Sequence, residues 1–456
     1  MEISTIISKR RRRIIGVSYI EHGLPNVEII LNGKRSNVVE EVHNESSLLK
    51  IPFNVKQFHR NPLVRKFTTL LPNLQNLPNR YDKVQNANKA IENINVKKLI
   101  IGGGTSGISS LDRETLLVSE DIIGDIEYDE SPLPQIERNE IIKRLKEKII
   151  EFESKIIKGR YIGKFDEGLL FETDSKFLLV NAENVIVASG GRTLRPIFKN
   201  NYLPGIISRE LYLRKLKKKY SKIIVLGFTD ISIRTALNAE KATLIFPKGI
   251  KPVFSKFYLE KANEKGLQMI EGNIEDVKKE KDKIKIITDK GEFNGDLIVF
   301  STVKQPRVEI TYNIGLNYRF NKTLHIYQPQ ENEKIRVIGG SMGLSNDYTS
   351  ILSSNNALDL NTCREFDPGI CEETIEQSKS PYLYSEDGMV CECEDLDMKD
   401  ISFALNLGFS DVEGIKRVTG LGTGHCQGKV CSYLVGSITK NNTLISFRSP
   451  LYPVII

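Results

Sequence analysis

The stretch that decides the fold is Lys97-Lys-Leu-Ile-Ile-Gly-Gly-Gly-Thr-Ser-Gly107. Its apolar run predicts a short buried strand, and the glycines follow at once. Gly102, Gly104 and Gly107 have the GxGxxG spacing between a strand and a helix. There the first glycine allows a tight turn, the second lets the backbone approach a pyrophosphate, and the third lets the helix pack on the sheet. The motif predicts a nucleotide-binding α/β unit rather than a plain glycine-rich turn.

The next strand ends at an acid that is suited to a ribose. Thr115–Ser119 is apolar and Glu120 follows it, where a carboxylate accepts the ribose hydroxyls of a bound nucleotide. Glu120 lies only thirteen residues after Gly107, whereas the usual distance is about 20 residues. We therefore expect a crossover helix that is much shorter than usual, and a weaker dinucleotide site.

The middle of the chain repeats this architecture in a reduced form. A helix is predicted over 139–157, followed by two hairpin strands around Gly168 and a buried strand leading into Ser189-Gly-Gly191. Ser221–Gly227 begins a second strand-then-glycine unit, but only one of the three motif glycines is present. We expect a Rossmann-like fold there without a functional phosphate-binding site.

The first ninety residues contain no cysteine and show little other chemistry. Val27–Leu31 alternates in polarity and then meets Asn32-Gly33, a typical hairpin turn. The asparagine- and proline-rich stretch 70–88 reads as a connector.

Four cysteines near the C-terminus are the strongest chemical signal. They form two pairs, Cys391-Glu-Cys393 and Cys426-Gln-Gly-Lys-Val-Cys431. Helix start and stop signals lie between the pairs: Asp397 before one helix and a Ser410–Glu413 capping box before another. A helix–turn–helix between the pairs brings the four thiols together. The CxC spacing is unlike the CxxC knuckle of zinc sites, and four thiolates suit a [2Fe–2S] cluster; zinc or unmetallated thiols remain the alternatives.

The remaining composition excludes several classes of protein. The net charge of +7 is interleaved with acids, which argues against a nucleic-acid surface, and no apolar run is long enough to span a membrane. Cys363 and Cys371 have no metal-binding spacing and are expected to be ordinary thiols. We expect a cytoplasmic protein.

Taken together, the chain resembles the alpha subunits of the heteromeric sarcosine oxidase and dye-linked L-proline dehydrogenase group. The cysteine segment Gly424–Cys431 is similar to bacterioferritin-associated-ferredoxin-type domains, and Val187–Arg192 and Leu203–Ile207 are similar to two-dinucleotide-binding-domain flavoproteins. The closing Arg448–Val454 resembles the tail of the same group. Where relatives carry Gly-Asp, this chain has Gly339-Gly340, so the carboxylate that usually touches the FAD ribitol is absent.

The resemblance implies an α/β fold with these domains: residues 1–90, a β-grasp-like domain without a cluster; 95–215 and 301–362, the FAD or adenine-nucleotide domain; 216–300, a degenerate NAD-binding-like insert; 385–445, the [2Fe–2S] domain; 446–456, a docking tail. The expected cofactor-binding residues, from the motif and the resemblance, are Gly102, Gly104, Thr105, Gly107, Glu120 and Gly190. The expected metal ligands are Cys391, Cys393, Cys426 and Cys431.

The resemblance also implies a function. The chain would be an electron-transfer and scaffold subunit of a flavin-dependent amine or amino-acid dehydrogenase of the sarcosine, proline or opine type. A flavin-bearing beta subunit would oxidise the substrate, so no catalytic residue is expected here. FAD or another adenine nucleotide is implied, with FMN at a subunit interface as a further cofactor and further small subunits as additional partners.

Three alternative functions stay open. The chain could be a self-contained NAD(P)H-dependent FAD oxidoreductase, a glycerol-3-phosphate dehydrogenase subunit, or a non-catalytic iron–sulfur scaffold. The incomplete second glycine motif argues against the first alternative. The position of the glycine motif at residue 102, far from the start of the chain, argues against the second.

Overall fold

A computed structural model describes residues 89–280, 283–424 and 426–452, together with the backbone of two short N-terminal strands. These strands pair antiparallel on either side of Asn32-Gly33, as that turn predicts. The rest of the expected β-grasp domain lies outside the described residues, and so does the end of the expected docking tail.

The described strands and helices are as follows. The strands are β1 (Glu28–Leu31), β2 (Lys34–Asn37), β3 (Ile91–Gly104), β4 (Thr115–Ile123), β5 (Ile156–Lys158), β6 (Arg160–Phe165), β7 (Gly168–Glu172), β8 (Phe177–Val187), β9 (Gly191–Thr193), β10 (Ile206–Ser208), β11 (Lys222–Leu226), β12 (Lys241–Phe246), β13 (Gln268–Glu271), β14 (Ile274–Glu280), β15 (Lys283–Thr288), β16 (Gly291–Gly295), β17 (Leu297–Phe300), β18 (Lys304–Pro306), β19 (Tyr318–Asn321), β20 (Ile326–Pro329), β21 (Ile335–Val337), β22 (Met389–Cys391) and β23 (Leu396–Asp397). The α-helices are α1 (Thr105–Ser109), α2 (Arg138–Glu151), α3 (Arg209–Leu211), α4 (Asp230–Leu237), α5 (Lys256–Glu264), α6 (Val308–Asn313), α7 (Asp347–Ser354), α8 (Leu360–Phe366), α9 (Met398–Asn406), α10 (Val412–Thr419) and α11 (Cys431–Gly436).

The glycine motif belongs to the largest sheet, which has the strand order β5-β4-β3-β8-β7-β6, with β21 beside β8. Strands β5, β4, β3, β8 and β21 run parallel to their neighbours, and β7 and β6 close the sheet antiparallel. Leu99 and Ile100 of β3 are fully buried and join separate apolar clusters, as expected for a parallel strand that is covered on both sides. The sheet therefore presents the carboxyl ends of β4, β3 and β8 side by side.

The helix expected over 139–157 is shorter than predicted, because α2 ends at Glu151. Ile156 and Ile157 instead form strand β5 and pair with Leu117 and Val118 of β4. Two adjacent β-branched residues favour a strand, and β4 at this edge of the sheet can pair with a further strand. Ile150, in the last turn of α2, is 76% exposed.

A second parallel sheet has the order β10-β17-β11-β12-β13. The helices α4 and α5 connect its strands, and the antiparallel β14, β15 and β16 precede β17. Strands β15 and β16 form an antiparallel hairpin. The result is a second Rossmann-like unit after the first.

The cysteine-bearing segment contains the two predicted helices. Asp397 caps α9 through a capping box with Asp400. Asp411, rather than Ser410, caps α10 by accepting a hydrogen bond from the backbone of Gly414. The prediction of a capping box beginning at Ser410 was thus wrong by one residue, since aspartate is an equally good cap and its carboxylate reaches the free N–H group.

Cys363 and Cys371 are bonded to each other, so the expectation of two ordinary thiols is wrong. They form a disulfide with Cα atoms 6.1 Å apart. After α8 ends at Phe366 the chain turns back through Asp367–Ile370 and brings the second cysteine to the first. Disulfides are uncommon in reducing compartments, so this bond counts against the cytoplasmic expectation.

Among the described residues, no helix is long and apolar enough to cross a membrane.

Candidate functional site

A cleft opens at the carboxyl ends of β4, β3 and β8, and it gathers most of the residues that the sequence predicts. Its lining includes Gly102, Gly104, Thr105, Glu120 and Gly190. Ligands of open α/β sheets bind at this edge of the sheet. The sixth predicted residue, Gly107, lies behind the lining in helix α1.

Each motif glycine occupies the position that its expected role requires. A Cβ on Gly102, whose φ is +111°, would lie 2.3 Å from the Ala188 carbonyl oxygen. A Cβ on Gly107 would lie 2.0 Å from the Gly102 carbonyl oxygen, which shows how closely the helix approaches the strand. A Cβ on Gly104 would meet nothing within 4 Å and would point into open space. The first and third glycines are thus required by the fold, whereas Gly104 leaves room for a ligand.

The crossover helix is as short as the spacing predicts, because α1 has only five residues. Strand β4 continues past Glu120 to Ile123 and pairs Ile122 and Ile123 with Gly103 and Gly104. Ile123 has a φ of +74°, which is strained for a β-branched residue. The side chain of Thr105 donates to Asp347 Oδ1 at 2.8 Å, so helix α7 also forms a wall of the cleft.

The charges in the cleft come from distant parts of the chain that sequence spacing does not connect. Glu120 forms an ion pair with Arg160. Asp125 contacts Lys304 Nζ at 2.8 Å and the guanidinium groups of Arg209 and Arg214 at 3.2 Å. Burial would raise the pKa of Asp125, but these three cations hold it well below its usual value. No sequence motif predicts that these basic residues line the cleft, because only the folded chain brings them next to Asp125.

The cavity at the end of β11 in the second Rossmann-like unit is much smaller than the cleft, and its lining includes Thr229, Asp230 and Val253. A Cβ on Gly227 would lie 2.2 Å from the Ser301 carbonyl oxygen, so this glycine serves close packing. Phe228 and Asp230 are buried where a pyrophosphate would approach. Burial raises the pKa of Asp230 to about 7. A phosphate there would meet a bulky side chain and an acidic one, as the incomplete motif predicts.

The four C-terminal cysteines lie close together, and none of them forms a disulfide within the part of the chain that the structure describes. Cys391, Cys426 and Cys431 are buried, and Cys393 is half-buried. Hydrogen bonds connect the four thiols in a row. Cys391 is hydrogen-bonded to Cys393 and to Cys431, and Cys393 is also hydrogen-bonded to Cys426. Hydrogen bonds from Cys393 and Cys431 hold the pKa of Cys391 well below its usual value.

The backbone around these thiols approaches the sulfur atoms closely. The N–H group of Gly422 donates to Cys391 and Cys431, and that of Gly428 donates to Cys426. A Cβ on Gly424 would lie 2.2 Å from Cys393 Cβ. Backbone donors to sulfur are a usual feature of iron–sulfur sites.

Four thiols that form no disulfide, with backbone donors beside them, fit the ligand set of a [2Fe–2S] cluster. Within the described residues, however, no three histidine, cysteine or carboxylate side chains are arranged so as to hold a metal ion. The sequence prediction that the thiols lie in one locus agrees with their contacts. Their role as metal ligands stays a prediction.

Buried ion pairs connect the cysteine segment to the nucleotide cleft. Arg195 pairs with Glu392, which lies between the first two cysteines, and both side chains are 2% exposed. Arg192, next to Gly191 of the cleft, pairs with Glu309 and donates to the Lys429 carbonyl oxygen. The Tyr433 hydroxyl donates to the same Glu309 at 2.7 Å. Buried ion pairs and hydrogen bonds therefore join the cysteine segment to residues that adjoin the cleft.

Comparisons with known proteins agree with this arrangement. Residues 386–456 match the family model described as the sarcosine oxidase A3 domain. Among curated proteins, hydrogen cyanide synthase subunit HcnB from Pseudomonas aeruginosa is 24% identical, over 28% of this chain and 34% of that protein. The chain thus spans about a third of the length of this curated relative.

Among solved structures, L-proline dehydrogenase from P. horikoshii superimposes with a TM-score of 0.58 and 21% identity, covering 80% of this chain and 79% of that one. At this identity the likeness shows the fold, and the expected α/β fold with Rossmann-like units is confirmed. The C-terminal family match and the shared fold together support the sarcosine oxidase and L-proline dehydrogenase group that the sequence resembles.

Proposed function

We propose that this chain is the electron-transfer and scaffold subunit of a heteromeric flavin-dependent amine or amino-acid dehydrogenase. The substrate, of the sarcosine, proline or opine type, would be oxidised on a flavin-bearing beta subunit, and further small subunits would complete the complex. The observation that carries the proposal is the four-cysteine segment, which matches the sarcosine oxidase A3 domain and is joined to a nucleotide cleft by buried ion pairs.

Cys391, Cys393, Cys426 and Cys431 are proposed to hold a [2Fe–2S] cluster, which when bound accepts and donates single electrons. The number of thiols and the backbone N–H groups aimed at them support the assignment. Lys429 places a buried cation nearby, with its Nζ 3.0 Å from the Cys426 carbonyl oxygen. A hydrogen bond with Cys393, together with this positive charge, lowers the pKa of the Cys426 thiol and favours the thiolate form that metal binding requires.

The cleft at Gly102–Gly107 is proposed to bind FAD or another adenine nucleotide. The open space at Gly104 and the position of Glu120 in the C-terminal half of β4 support a pyrophosphate and a ribose there. An additional FMN at the interface with the beta subunit is proposed from the resemblance. The domain boundaries given with the resemblance are proposed in the same way.

The second unit keeps only one motif glycine, with Thr229 and Ser232 in place of the other two, which favours this proposal over a self-contained NAD(P)H-dependent oxidoreductase. We also propose a cytoplasmic location, because a reducing compartment keeps the four C-terminal cysteines out of disulfides; the Cys363–Cys371 disulfide is the observation that stands against it. Dye-reduction assays on the isolated chain and on the native complex test whether the beta subunit oxidises the substrate, because substrate oxidation is expected only in the complex.

The nucleotide site is tested by replacing Gly104 with valine. We expect nucleotide binding to be lost while the free energy of unfolding changes by less than about 0.5 kcal/mol. The new side chain would enter the cleft without touching protein atoms near its Cβ, and the backbone at residue 104, with φ −74° and ψ −173°, is extended. Isothermal titration with FAD and with ADP measures the first effect, and urea unfolding measures the second.

Gly102→Ala is the matched control for this experiment. Its Cβ would clash with Ala188 and its φ is positive, so it should lower the free energy of unfolding by roughly 1–3 kcal/mol. If Gly104→Val binds nucleotide as well as the unmodified chain does, the ligand does not approach the glycine motif and the site is assigned wrongly.

A further inference from the structure

The carboxylates that line the nucleotide cleft differ in how they are neutralised. Most of them are ion-paired within the chain. These pairs are Glu120 with Arg160, Asp121 with Arg214, Asp125 with Lys304, and Asp347 with Arg234. Glu210 also lines the cleft, yet none of the ion pairs identified among the described residues includes it.

Glu210 is buried, and one of its two carboxylate oxygens accepts no hydrogen bond. The side chain is 5% exposed, and its Oε1 accepts a hydrogen bond from Thr193 Oγ1 at 2.7 Å. Its Oε2 is buried without a hydrogen-bond partner. A buried acceptor without a donor costs about 1–3 kcal/mol, and more when it is charged. Such a buried acceptor calls for a donor from outside the chain, which is either a ligand or an ordered water.

The sheet order shows which part of a ligand would reach Glu210. Glu120 lies in the C-terminal half of β4, the glycine motif begins at the end of β3, and Ser189–Gly191 follows β8, so these three points lie in that order across the sheet. Thr193, the partner of Glu210, lies in β9 directly after β8. If the ribose of a nucleotide lies at Glu120 and its phosphates lie at the glycines, the part of the ligand beyond the phosphates lies near the end of β8.

We propose that Glu210 is a specificity-determining residue that accepts a hydrogen bond from the second half of a dinucleotide. The donor is a hydroxyl or a ring N–H beyond the pyrophosphate, which FAD has and ADP lacks. Glu210 thereby supplies a carboxylate to a cleft whose lining also includes Gly340, which has no side chain. The inference rests on the proposed nucleotide site and narrows its ligand to a dinucleotide.

The test replaces Glu210 with glutamine in the full chain and measures affinity for FAD and for ADP. We expect FAD to bind about tenfold to a hundredfold more weakly, the range of one hydrogen bond to a charged group, while the affinity for ADP does not change. Without nucleotide, the unfolding temperature of Glu210→Gln should equal or exceed that of the unmodified chain. The reason is that the substitution removes an unsatisfied charge.

Glu309→Gln is the matched control, because both oxygens of that buried carboxylate are bonded within the chain, to Arg192 and to Tyr433. It should lower the unfolding temperature. If Glu210→Gln lowers it as well, or weakens FAD and ADP equally, Glu210 is a structural residue and the proposal is overturned. An unmodified chain that binds ADP but not FAD would overturn the proposal and leave the nucleotide site standing, whereas binding of neither would overturn both.

Discussion

Replacing Cys426 with serine is expected to abolish the visible iron–sulfur absorption of the protein and the EPR signal of its reduced form. Cys426 is buried, contacts Cys393 and accepts a backbone hydrogen bond from Gly428. Serine keeps the size of the side chain but replaces a soft thiolate by a hydroxyl, which does not suit a four-thiolate cluster. Iron and acid-labile sulfide analysis of protein purified without oxygen gives the occupancy directly.

Cys371→Ser is the control for this experiment, because Cys371 is bonded to Cys363 and is not one of the four free thiols. It should retain the iron content and the spectrum of the unmodified chain. Stoichiometric zinc without iron in the unmodified protein would contradict the cluster and would favour a zinc site on the same four thiols.

Replacing Arg195 with alanine should destabilise the protein by about 3–5 kcal/mol, the usual effect of removing one partner of a buried ion pair. Glu392 would then remain buried and charged between Cys391 and Cys393. The variant should therefore also lose iron, because the first pair of thiols loses its support. Urea unfolding followed by circular dichroism measures the free energy, and iron analysis measures the second effect.

Lys97→Ala is a suitable comparison, because the ion pair of Lys97 with Glu114 is exposed, with 65% and 49% of the two side chains accessible. Solvent screens such pairs, so the change in stability should be too small to measure. Equal stabilities of Arg195→Ala and Lys97→Ala would show that the cysteine segment does not depend on the buried ion pair.

The local features of the nucleotide cleft could be predicted from the sequence, since they depend on neighbouring residues. The GxGxxG spacing fixes the turn at Gly102 and the close packing at Gly107, and the short distance to Glu120 predicts the five-residue helix α1. The proximity of the four thiols could be predicted for a similar reason, because two capped helices return the chain between the pairs.

The long-range partners could not be predicted in this way. Arg160 and Asp347 reach the cleft from other elements, and only the packed sheet brings them to Glu120 and Thr105. The unsatisfied oxygen of Glu210 is a property of the folded surroundings and has no signature in the sequence. The disulfide of Cys363 was missed because a spacing of eight residues does not distinguish a free thiol from a bonded one.

The central claim is that this chain carries electrons and holds the complex together, while a partner oxidises the substrate. The most direct measurement is dye-linked oxidation of sarcosine, L-proline and an opine by the purified chain alone, and by the same chain after addition of the flavin-bearing subunit from the native complex. The account predicts no turnover by the chain alone and substrate-dependent dye reduction once the partner is present. Turnover by the single chain at the rate of the reconstituted complex would contradict it and would place the catalytic site in this chain.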